Sequence, residues 1–192
     1  KKKSKKLKRA NRHVKRIKIR YKKSGRWLDV GCSSGFVIKA CLAHGFEGHG
    51  LDIDANAVAY GRSKFGLENL KTGTLENTSY PTGYFDVISA YDVIEHVENL
   101  HSFTAELKRI LKPNGLIDLV TPNAQHWSVP NNLRLWKEIK PSEHLYYFGK
   151  NNLADLLKIH GLYISETRFT LKSTLKVVVK NTKVEHFKNA VH

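Results

Sequence analysis

Short apolar runs alternate with stretches of helical periodicity through most of the chain. Runs with the spacing of buried strands lie at 27–30, 48–53, 70–72, 85–90 and 116–121. Between them, apolar residues recur every three or four positions at 36–44, 56–65 and 100–111. Strands that alternate with helices are joined by right-handed crossovers and form a parallel sheet covered on both faces. The pattern therefore predicts a doubly wound α/β fold.

The carboxyl-terminal third has a different pattern. An irregular stretch runs from Pro122 to Phe148, followed by a helix at 151–160 and two β-rich runs at 163–169 and 174–179. A terminal pair of strands with one antiparallel member completes a mostly parallel, seven-stranded sheet. Before the fifth strand, 113–115 (Pro-Asn-Gly) is typical of a tight turn in which Asn takes a positive φ.

The amino end predicts a basic helix with one apolar face. Leu7, Ala10, Val14, Ile17 and Tyr21 recur at steps of three and four, which suits docking on the rest of the protein. Fourteen Lys or Arg and no Asp or Glu lie in 1–23, so most of the net charge of +16 is concentrated there. The basic face of this helix, opposite the apolar stripe, is either simply solvated or attracts RNA phosphates or an anionic membrane.

Length and composition favour one domain. We predict a basic helical segment at 1–23, a globular domain at 24–180 and a tail at 181–192. No apolar run approaches the roughly 20 residues of a membrane span, and the amino end lacks a signal-peptide core, so a soluble cytoplasmic protein is expected. The chain contains no methionine, which indicates a processed, trimmed or internal start.

Neither the cysteines nor the acidic and histidine residues have an informative spacing. Cys32 and Cys41 are too close together for a useful disulfide and lack ligand partners at zinc-site spacing. No cluster of acids and histidines has the spacing of metal ligands either, so no metal is expected.

The sharpest motif joins the first strand of the sheet to the next helix. Residues 27–35 read Trp-Leu-Asp-Val-Gly-Cys-Ser-Ser-Gly, a strand that runs into a tight turn and a helix start. Small residues let the backbone approach a ligand, and the helix start offers free N–H groups. Asp29 makes this turn unlike the fingerprint of a dinucleotide-binding site. A carboxylate at this position would repel a phosphate group but can bind an ammonium group. Alternatively, Asp29 only ties down the loop through backbone N–H groups.

An acidic residue ends the second strand. Asp52 follows the Gly-rich turn by about 20 residues, the position from which a carboxylate accepts hydrogen bonds from both hydroxyls of a ribose. Asp54 is placed to be the N-cap of the following helix.

From Trp27 to Phe169 the chain resembles the class I S-adenosylmethionine-dependent methyltransferases. Further matching segments are 73–76 (Gly-Thr-Leu-Glu), 85–97 (Phe-Asp-Val-Ile-Ser-Ala-Tyr-Asp-Val-Ile-Glu-His-Val), 111–115 (Leu-Lys-Pro-Asn-Gly), 121–123 (Thr-Pro-Asn) and 141–148 (Pro-Ser-Glu-His-Leu-Tyr-Tyr-Phe). Three of these, at 85–97, 111–115 and 121–123, are similar to the small-molecule O- and C-methyltransferase branch that includes ubiquinone-biosynthesis O-methyltransferases. The resemblance implies a Rossmann-like methyltransferase fold, S-adenosyl-L-methionine as the cofactor and a small-molecule acceptor.

The same resemblance implies a set of cofactor contacts. They are Asp29, Gly31, Cys32 and Gly35 around the methionine part, Asp52 on the ribose, Ile53, Thr74 and Leu75 around the adenine, and Tyr91 after the fourth strand. Two departures from the family pattern are Ser33, where many relatives have Gly, and Thr74, where an acid is frequent. If residue 33 needs a positive φ, the loop carries strain of about 1 kcal/mol.

Two histidines are candidates for removing the proton of a hydroxyl acceptor. His96 lies just beyond the fourth strand and His144 lies after the fifth, and an imidazole titrates near neutrality. A structural alternative exists for each: a helix-start residue bonded to nearby backbone for His96, and a loop-ordering bond, with Glu143 as partner, for His144.

Aromatic residues concentrate in the irregular stretch after Pro122. They are Trp127, Trp136, Tyr146, Tyr147 and Phe148. Long irregular segments often form acceptor pockets, although filling of the core explains Tyr147 and Phe148 equally well.

Three other functions remain open at this level. A methyltransferase that grips RNA with the basic helix is one, although 91–94 (Tyr-Asp-Val-Ile) lacks an Asn-Pro-Pro-Tyr-like motif. A nicotinamide-dependent dehydrogenase is disfavoured by the absence of Gly-x-Gly-x-x-Gly. A non-catalytic module that retains the cofactor pocket is the third.

Overall fold

The computed structural model describes residues 2–182, and the predicted tail lies outside them except for its first two residues. The helices are α1 (Lys2–Arg20), α2 (Phe36–Ala43), α3 (Ala55–Phe65), α4 (Leu100–Ile110) and α5 (Lys150–Ile159). The strands are β1 (Arg26–Val30), β2 (Glu47–Asp52), β3 (Leu70–Thr72), β4 (Phe85–Tyr91), β5 (Leu111–Pro122), β6 (Leu162–Arg168) and β7 (Thr174–Asn181). Short 3-10 turns occur at Leu75–Asn77, Ile94–His96 and Leu133–Leu135.

The strands form one seven-stranded sheet in the order β3-β2-β1-β4-β5-β7-β6. Neighbours from β3 to β5 are parallel, whereas β7 runs antiparallel to both β5 and β6. The predicted doubly wound α/β fold with one antiparallel terminal strand is therefore confirmed. The order reverses between β1 and β4, and ligands bind at the carboxyl ends of strands next to such a switch point.

The predicted tight turn at 113–115 is wrong. These residues belong to β5, where the pairing with β4 moves from Phe85↔Leu111 to Val87↔Leu116. Over this interval β4 advances by two residues and β5 by five, so the extra residues form an irregularity within the strand. Asn114 is not among the residues with positive φ. The local turn signature did not end the strand, because the flanks on both sides of it pair with β4.

The apolar stripe of α1 docks on the sheet, as its periodicity predicted. Ala10, Val14 and Ile17 are buried in one cluster with Trp27 of β1 and Cys41 of α2. The basic helix thus shares a hydrophobic core with the domain that follows it. None of the helices in the described residues is long and apolar enough to cross a membrane.

The opposite face of the sheet carries the larger core cluster. Phe103 and Leu107 of α4 and Leu153 and Leu157 of α5 pack there against apolar side chains from the central strands. Successive strand residues alternate between the two faces, so each residue at a strand end is directed either towards α1 or towards α4.

Candidate active site

A cavity of about 650 Å³ opens at the carboxyl ends of β1, β2 and β4. This is the switch-point position that the strand order creates. The predicted site residues that line it are Gly31, Asp52, Ile53, Thr74, Leu75 and His96. Residues that the sequence analysis did not single out also line it, among them Asp92, Val93, Asn99, Ser102 and Phe103.

The loop after β1 folds tightly against β2. Gly31 has φ 73°, and a Cβ atom at this position would collide with the side chain of Val93. Its N–H donates to the Leu51 carbonyl at 2.8 Å, and the Cys32 N–H donates to the same oxygen at 3.0 Å. Only glycine combines this backbone conformation with such close packing, so the loop backbone itself forms part of the cavity wall.

Asp52 holds two loops together at the end of β2. One carboxylate oxygen accepts from the Ser33 N–H at 2.6 Å and the other from the Asp54 N–H at 2.8 Å. Ser33 has φ 48°, the conformation in which a glycine would avoid strain. Asp54 caps α3 through Asn56 and Ala57, as its position predicted.

Two apolar side chains flank the cavity from different elements. Ile53 is 76% exposed, whereas Leu75 is only 2% exposed and belongs to the core cluster beneath. Thr74 precedes the 3-10 turn that begins at Leu75, and its side chain makes no capping hydrogen bond. Ile53, Leu75 and Thr74 thus bring two apolar side chains and a hydroxyl to the wall of one cavity.

Cys32 and Gly35 lie behind the wall of the cavity. Cys32 is buried in a small apolar cluster, and a Cβ atom on Gly50 would lie 2.8 Å from its Sγ. Gly35 begins α2 with φ 79° and faces Leu67, so a larger residue would collide there. Both residues shape the loop rather than line the cavity.

Asp29 and Tyr91 are directed to the α1 face of the sheet, away from the cavity. They share this face because Asp29 pairs with Ser89 across β1 and β4, and Ser89 and Tyr91 are two residues apart. The Asp29 carboxylate accepts from the Ser89 hydroxyl at 2.5 Å, and the Tyr91 hydroxyl donates to Asp118 at 2.8 Å. The loop-tying backbone bonds considered for Asp29 are replaced by a side-chain bond within the sheet.

The surroundings of Asp29 strongly favour its neutral form. Burial raises the pKa of this carboxyl to about 7, although the hydrogen bond from Ser89 acts in the opposite direction. Removing a carboxylate from water disfavours its charge unless a cation or several donors compensate. Asp29 therefore titrates near neutrality.

His96 and His144 meet at the cavity, with their ring centroids 4.8 Å apart and edge to face. His96 Nδ1 bonds to the Glu143 carbonyl at 2.7 Å, and His144 Nδ1 bonds to the Glu138 carbonyl at 2.8 Å. A carbonyl only accepts, so both Nδ1 atoms carry hydrogen and each neutral ring keeps an Nε2 lone pair. His144 is buried and lies behind His96, which is exposed.

The loop-ordering hydrogen bond considered for His144 is present, but its partner is the Glu138 carbonyl and not Glu143. The Glu143 carbonyl accepts from His96 instead, while its carboxylate lies 3.5 Å from Lys140. The loop after residue 136 folds back so that His144 faces the Glu138 backbone. Because the loop turns here, the neighbouring residues Glu143 and His144 are directed to different sides of it.

Glu95 joins the two histidines to form an acid–imidazole cluster. One ligand-type atom from each of Glu95, His96 and His144 lies within 4.8 Å of the other two. Sequence spacing does not detect this cluster, because folding brings His144 to the other two residues, and the expectation that no metal binds stays a prediction. Glu95 is 1% exposed; it accepts from the Thr121 hydroxyl at 3.0 Å, and its Oε1 has no partner among the described residues. Burial raises its pKa.

Asp92 is a site residue that the sequence analysis missed. It lines the cavity and adopts φ 55°, a conformation that Asp tolerates better than most residues. It is open to solvent on the cavity side, and the protein atoms behind it raise its pKa. Its position immediately after an apolar strand was the available signal.

The aromatic residues of 123–148 do not line this cavity. Phe148 and Trp136 are buried, and the Trp136 indole N–H donates to the Ser173 hydroxyl at 3.0 Å. The Tyr147 hydroxyl accepts from the Lys140 N–H, and Trp127 is 75% exposed. Core filling accounts for Phe148, one of the two residues for which it was considered.

The strand order and the cavity at its switch point define a Rossmann-like methyltransferase fold. In agreement, the sequence pattern of a family described as a methyltransferase domain matches residues 4–167. The chain belongs to this family. Membership also disfavours the dehydrogenase alternative.

Individual relatives also have the names of methyltransferases. A ubiquinone biosynthesis O-methyltransferase of Rickettsia canadensis is 30% identical over 154 residues, which cover 70% of this chain and 64% of that protein. A Mycolicibacterium smegmatis protein named a probable S-adenosylmethionine-dependent methyltransferase is 27% identical, covering 73% of this chain and 52% of that protein. The chain thus spans between half and two thirds of the length of these relatives. The crystal structure of an S-adenosylmethionine-dependent methyltransferase from Clostridium acetobutylicum superposes with a TM-score of 0.72 at 12% identity, covering 92% of each chain.

Proposed function

We propose that this chain transfers the methyl group of S-adenosylmethionine to an oxygen or carbon atom of a small-molecule acceptor. The observation that carries the proposal is that five residues suited to different parts of that cofactor border one cavity. Gly31 allows close backbone approach, Asp52 is an acceptor for ribose hydroxyls, Ile53 and Leu75 offer apolar faces, and Thr74 offers a hydroxyl.

The residues present fit the cofactor. The apolar side chain of Ile53 is exposed at the cavity, where an adenine ring would cover it opposite Leu75. Asp52 has oxygens that already accept from two backbone N–H groups, and carboxylate lone pairs remain for ribose hydroxyls. Asp29, Cys32, Gly35 and Tyr91 act through the shape of the loop and strand rather than by contact, since none of them lines the cavity.

The bound cofactor would supply a methyl group on a positively charged sulfur. The acceptor atom forms a bond to the methyl carbon as the carbon–sulfur bond breaks, which leaves S-adenosylhomocysteine. Positioning of the two reactants supplies most of the acceleration in such a displacement. This chain contributes the cavity that would hold both reactants.

We assign to His96 the role of the general base that removes the proton of a hydroxyl acceptor. His96 lines the cavity, and because Nδ1 is held by the Glu143 carbonyl, Nε2 is the ring nitrogen left to accept a proton. His144 is a positioning residue that supports the His96 ring from behind at 4.8 Å. General bases of this kind contribute about 10²- to 10⁴-fold to the rate.

The first test is calorimetric titration with S-adenosylmethionine and S-adenosylhomocysteine. Asp52→Asn keeps one carbonyl acceptor for the loop but removes the charge, and we expect at least about tenfold weaker binding. Asp54→Ala is the matched control, since it removes a neighbouring carboxylate that caps α3 and does not line the cavity. Equal affinities for the wild type and Asp52→Asn would contradict the ribose contact, and no binding to the wild type would overturn the function.

A further inference from the structure

A cluster of five cations lies on the α1 side of the sheet. This cationic cluster consists of Arg9 and Arg16 of α1, Arg168 at the end of β6, Lys172 in the following loop and Lys176 of β7. Burial and the charges of the other four members together lower the pKa of Lys176. Three members come from outside the basic amino-terminal segment, so the cluster is not simply the solvated face of α1.

The sheet topology places the cluster at the edge where the cavity opens. Because β7 is antiparallel, its start and the end of β6 lie beside the carboxyl ends of the parallel strands. Tyr91 pairs with Val120, Val120 with Lys176, and Lys176 with Arg168. Residues in register share a face, so this row runs from the end of β4 to Arg168 on the side covered by α1.

The amino-terminal half of α1 connects the row to the cavity wall. Arg9 is close enough to Asp92, which lines the cavity, for its charge to oppose the effect of burial on the Asp92 pKa. His13, one turn later in α1, packs edge to face on Tyr91 at 5.3 Å. The cationic cluster therefore lies within electrostatic reach of a cavity-lining residue and continues along the same edge of the sheet.

One carboxylate contacts the cluster from within. Asp118 lies 2.7 Å from Arg16 and also contacts Arg168, so it neutralises one of the five charges. Within residues 2–182, Arg9, Lys172 and Lys176 take part in none of the ion pairs closer than 4.0 Å. In the same part of the chain, Arg16 Nη1 and Arg168 Nε are buried without an acceptor. Donors and positive charge are thus in excess on the α1 side of the sheet.

We propose that the methyl acceptor carries a phosphate group and that the cationic cluster binds this group while the rest of the acceptor reaches the cavity. The inference rests on the methyl-transfer function proposed above and specifies its substrate class. A phosphate ester suits the cluster better than a carboxylate, because it carries up to two charges and three acceptor oxygens. Guanidinium groups bind phosphate oxygens in pairs of hydrogen bonds, and lysines add charge with less geometric demand.

The test uses inorganic pyrophosphate as the probe, titrated calorimetrically into the full chain at low ionic strength. The test variant is Lys172→Gln with Lys176→Gln, which leaves the Arg residues on buried Asp118 intact. The control is Lys150→Gln with Lys158→Gln, an equal change of charge on exposed positions of α5, across the sheet. We expect about tenfold weaker pyrophosphate binding in the test variant only, with the affinity for S-adenosylhomocysteine the same in all three proteins.

The outcomes separate this inference from the proposed function. Equal loss in both variants, or no pyrophosphate binding by a protein that binds S-adenosylhomocysteine, would overturn the phosphate site. Pyrophosphate binding lost only in the test variant, in a protein that does not bind S-adenosylhomocysteine, would retain the site and overturn the function. A short RNA and anionic phospholipid vesicles are titrated in parallel. If the RNA or the vesicles bind and pyrophosphate does not displace them, the proposal is overturned in favour of that macromolecular partner.

Discussion

Two buried aspartates on the same face of the sheet have opposite protonation tendencies. Asp29 receives one hydroxyl hydrogen bond, and burial raises its pKa to about 7. Burial also acts to raise the pKa of Asp118, but the neighbouring His13 and the charges of Arg168 and Arg16 lower it. The number and charge of the partners therefore decide whether a buried carboxyl is ionised.

The raised pKa of Asp29 makes stability depend on pH. An acid whose pKa is higher in the folded state lowers stability as pH rises from about 4 to about 7, because the unfolded chain releases its proton first. Asp29→Asn removes this loss and keeps an acceptor for Ser89. We expect the variant to be more stable than the wild type near pH 8, by up to about 4 kcal/mol, and equal to it near pH 4.

Urea unfolding at several pH values measures this difference. Asp118→Asn is the contrasting variant, since it leaves two guanidinium groups without their carboxylate and is expected to destabilise the protein near pH 7. A constant difference between wild type and Asp29→Asn from pH 4 to pH 8 would show that the pKa of Asp29 is the same in the folded and unfolded states, and would contradict the prediction.

His96 is tested by its effect on the rate of methyl transfer. His96→Gln should lower kcat by about 10²- to 10⁴-fold while leaving the affinity for S-adenosylhomocysteine unchanged, because it removes only the proton acceptor. The assay is formation of S-adenosylhomocysteine with an acceptor that the wild type methylates. His101→Gln, at an exposed position of α4 outside the cavity, is the control. An unchanged kcat in His96→Gln would reassign the base.

At the scale of elements, α1 illustrates how a charged helix is held by a narrow apolar stripe. Its buried side chains Ala10, Val14 and Ile17 contact the sheet and α2, while the rest of its surface is mostly basic. Lys18 also donates to the carbonyl of His44 at the end of α2, at 2.6 Å. The helix is therefore part of the folded domain and not an appended tag.

This packing predicts unequal costs for the same substitution at two positions of α1. Ile17 is fully buried and Ile19 is 64% exposed. Ile17→Ala should lower the free energy of unfolding by about 2 to 5 kcal/mol, because it removes buried methyl groups and leaves a cavity. Ile19→Ala should change it by about 0.5 kcal/mol or less. Equal and small effects in denaturant unfolding would mean that α1 does not dock in solution.

At the scale of the whole molecule, the cavity is assembled from several elements that lie apart along the chain. Its walls come from loops after β1, β2, β3 and β4 and from the start of α4. A ligand that fills it contacts only the folded state, so binding couples cofactor affinity to global stability.

S-adenosylhomocysteine should therefore raise the melting temperature. At a concentration of about 100 times its Kd the added stability is about 2.7 kcal/mol, which corresponds to roughly 5–10 °C for a domain of this size. Differential scanning fluorimetry with increasing ligand measures the shift. At the same ligand concentration, Asp52→Asn should show a much smaller shift and Asp54→Ala the full one, whereas identical shifts in all three proteins would place the ligand elsewhere.

Sequence reasoning located most elements because their signals are local. The β1 loop, the Asp54 cap and the apolar stripe of α1 each depend on residues within a few positions of one another. The failure at 113–115 has a physical reason, since turn-forming residues can also be accommodated as an irregularity when both flanks pair with a neighbouring strand.

The sequence by itself determined the alternation of strands and helices, the position of the Gly-rich loop and the acid that ends β2. These follow from hydrophobic period and from backbone freedom, which act over short stretches of chain. Only the tertiary structure decided that Tyr91 faces α1 while Asp92 faces the cavity, that His144 joins Glu95, and that the cationic cluster forms on the α1 side of the sheet. Those arrangements depend on register and on packing between distant segments, and no spacing along the chain encodes them.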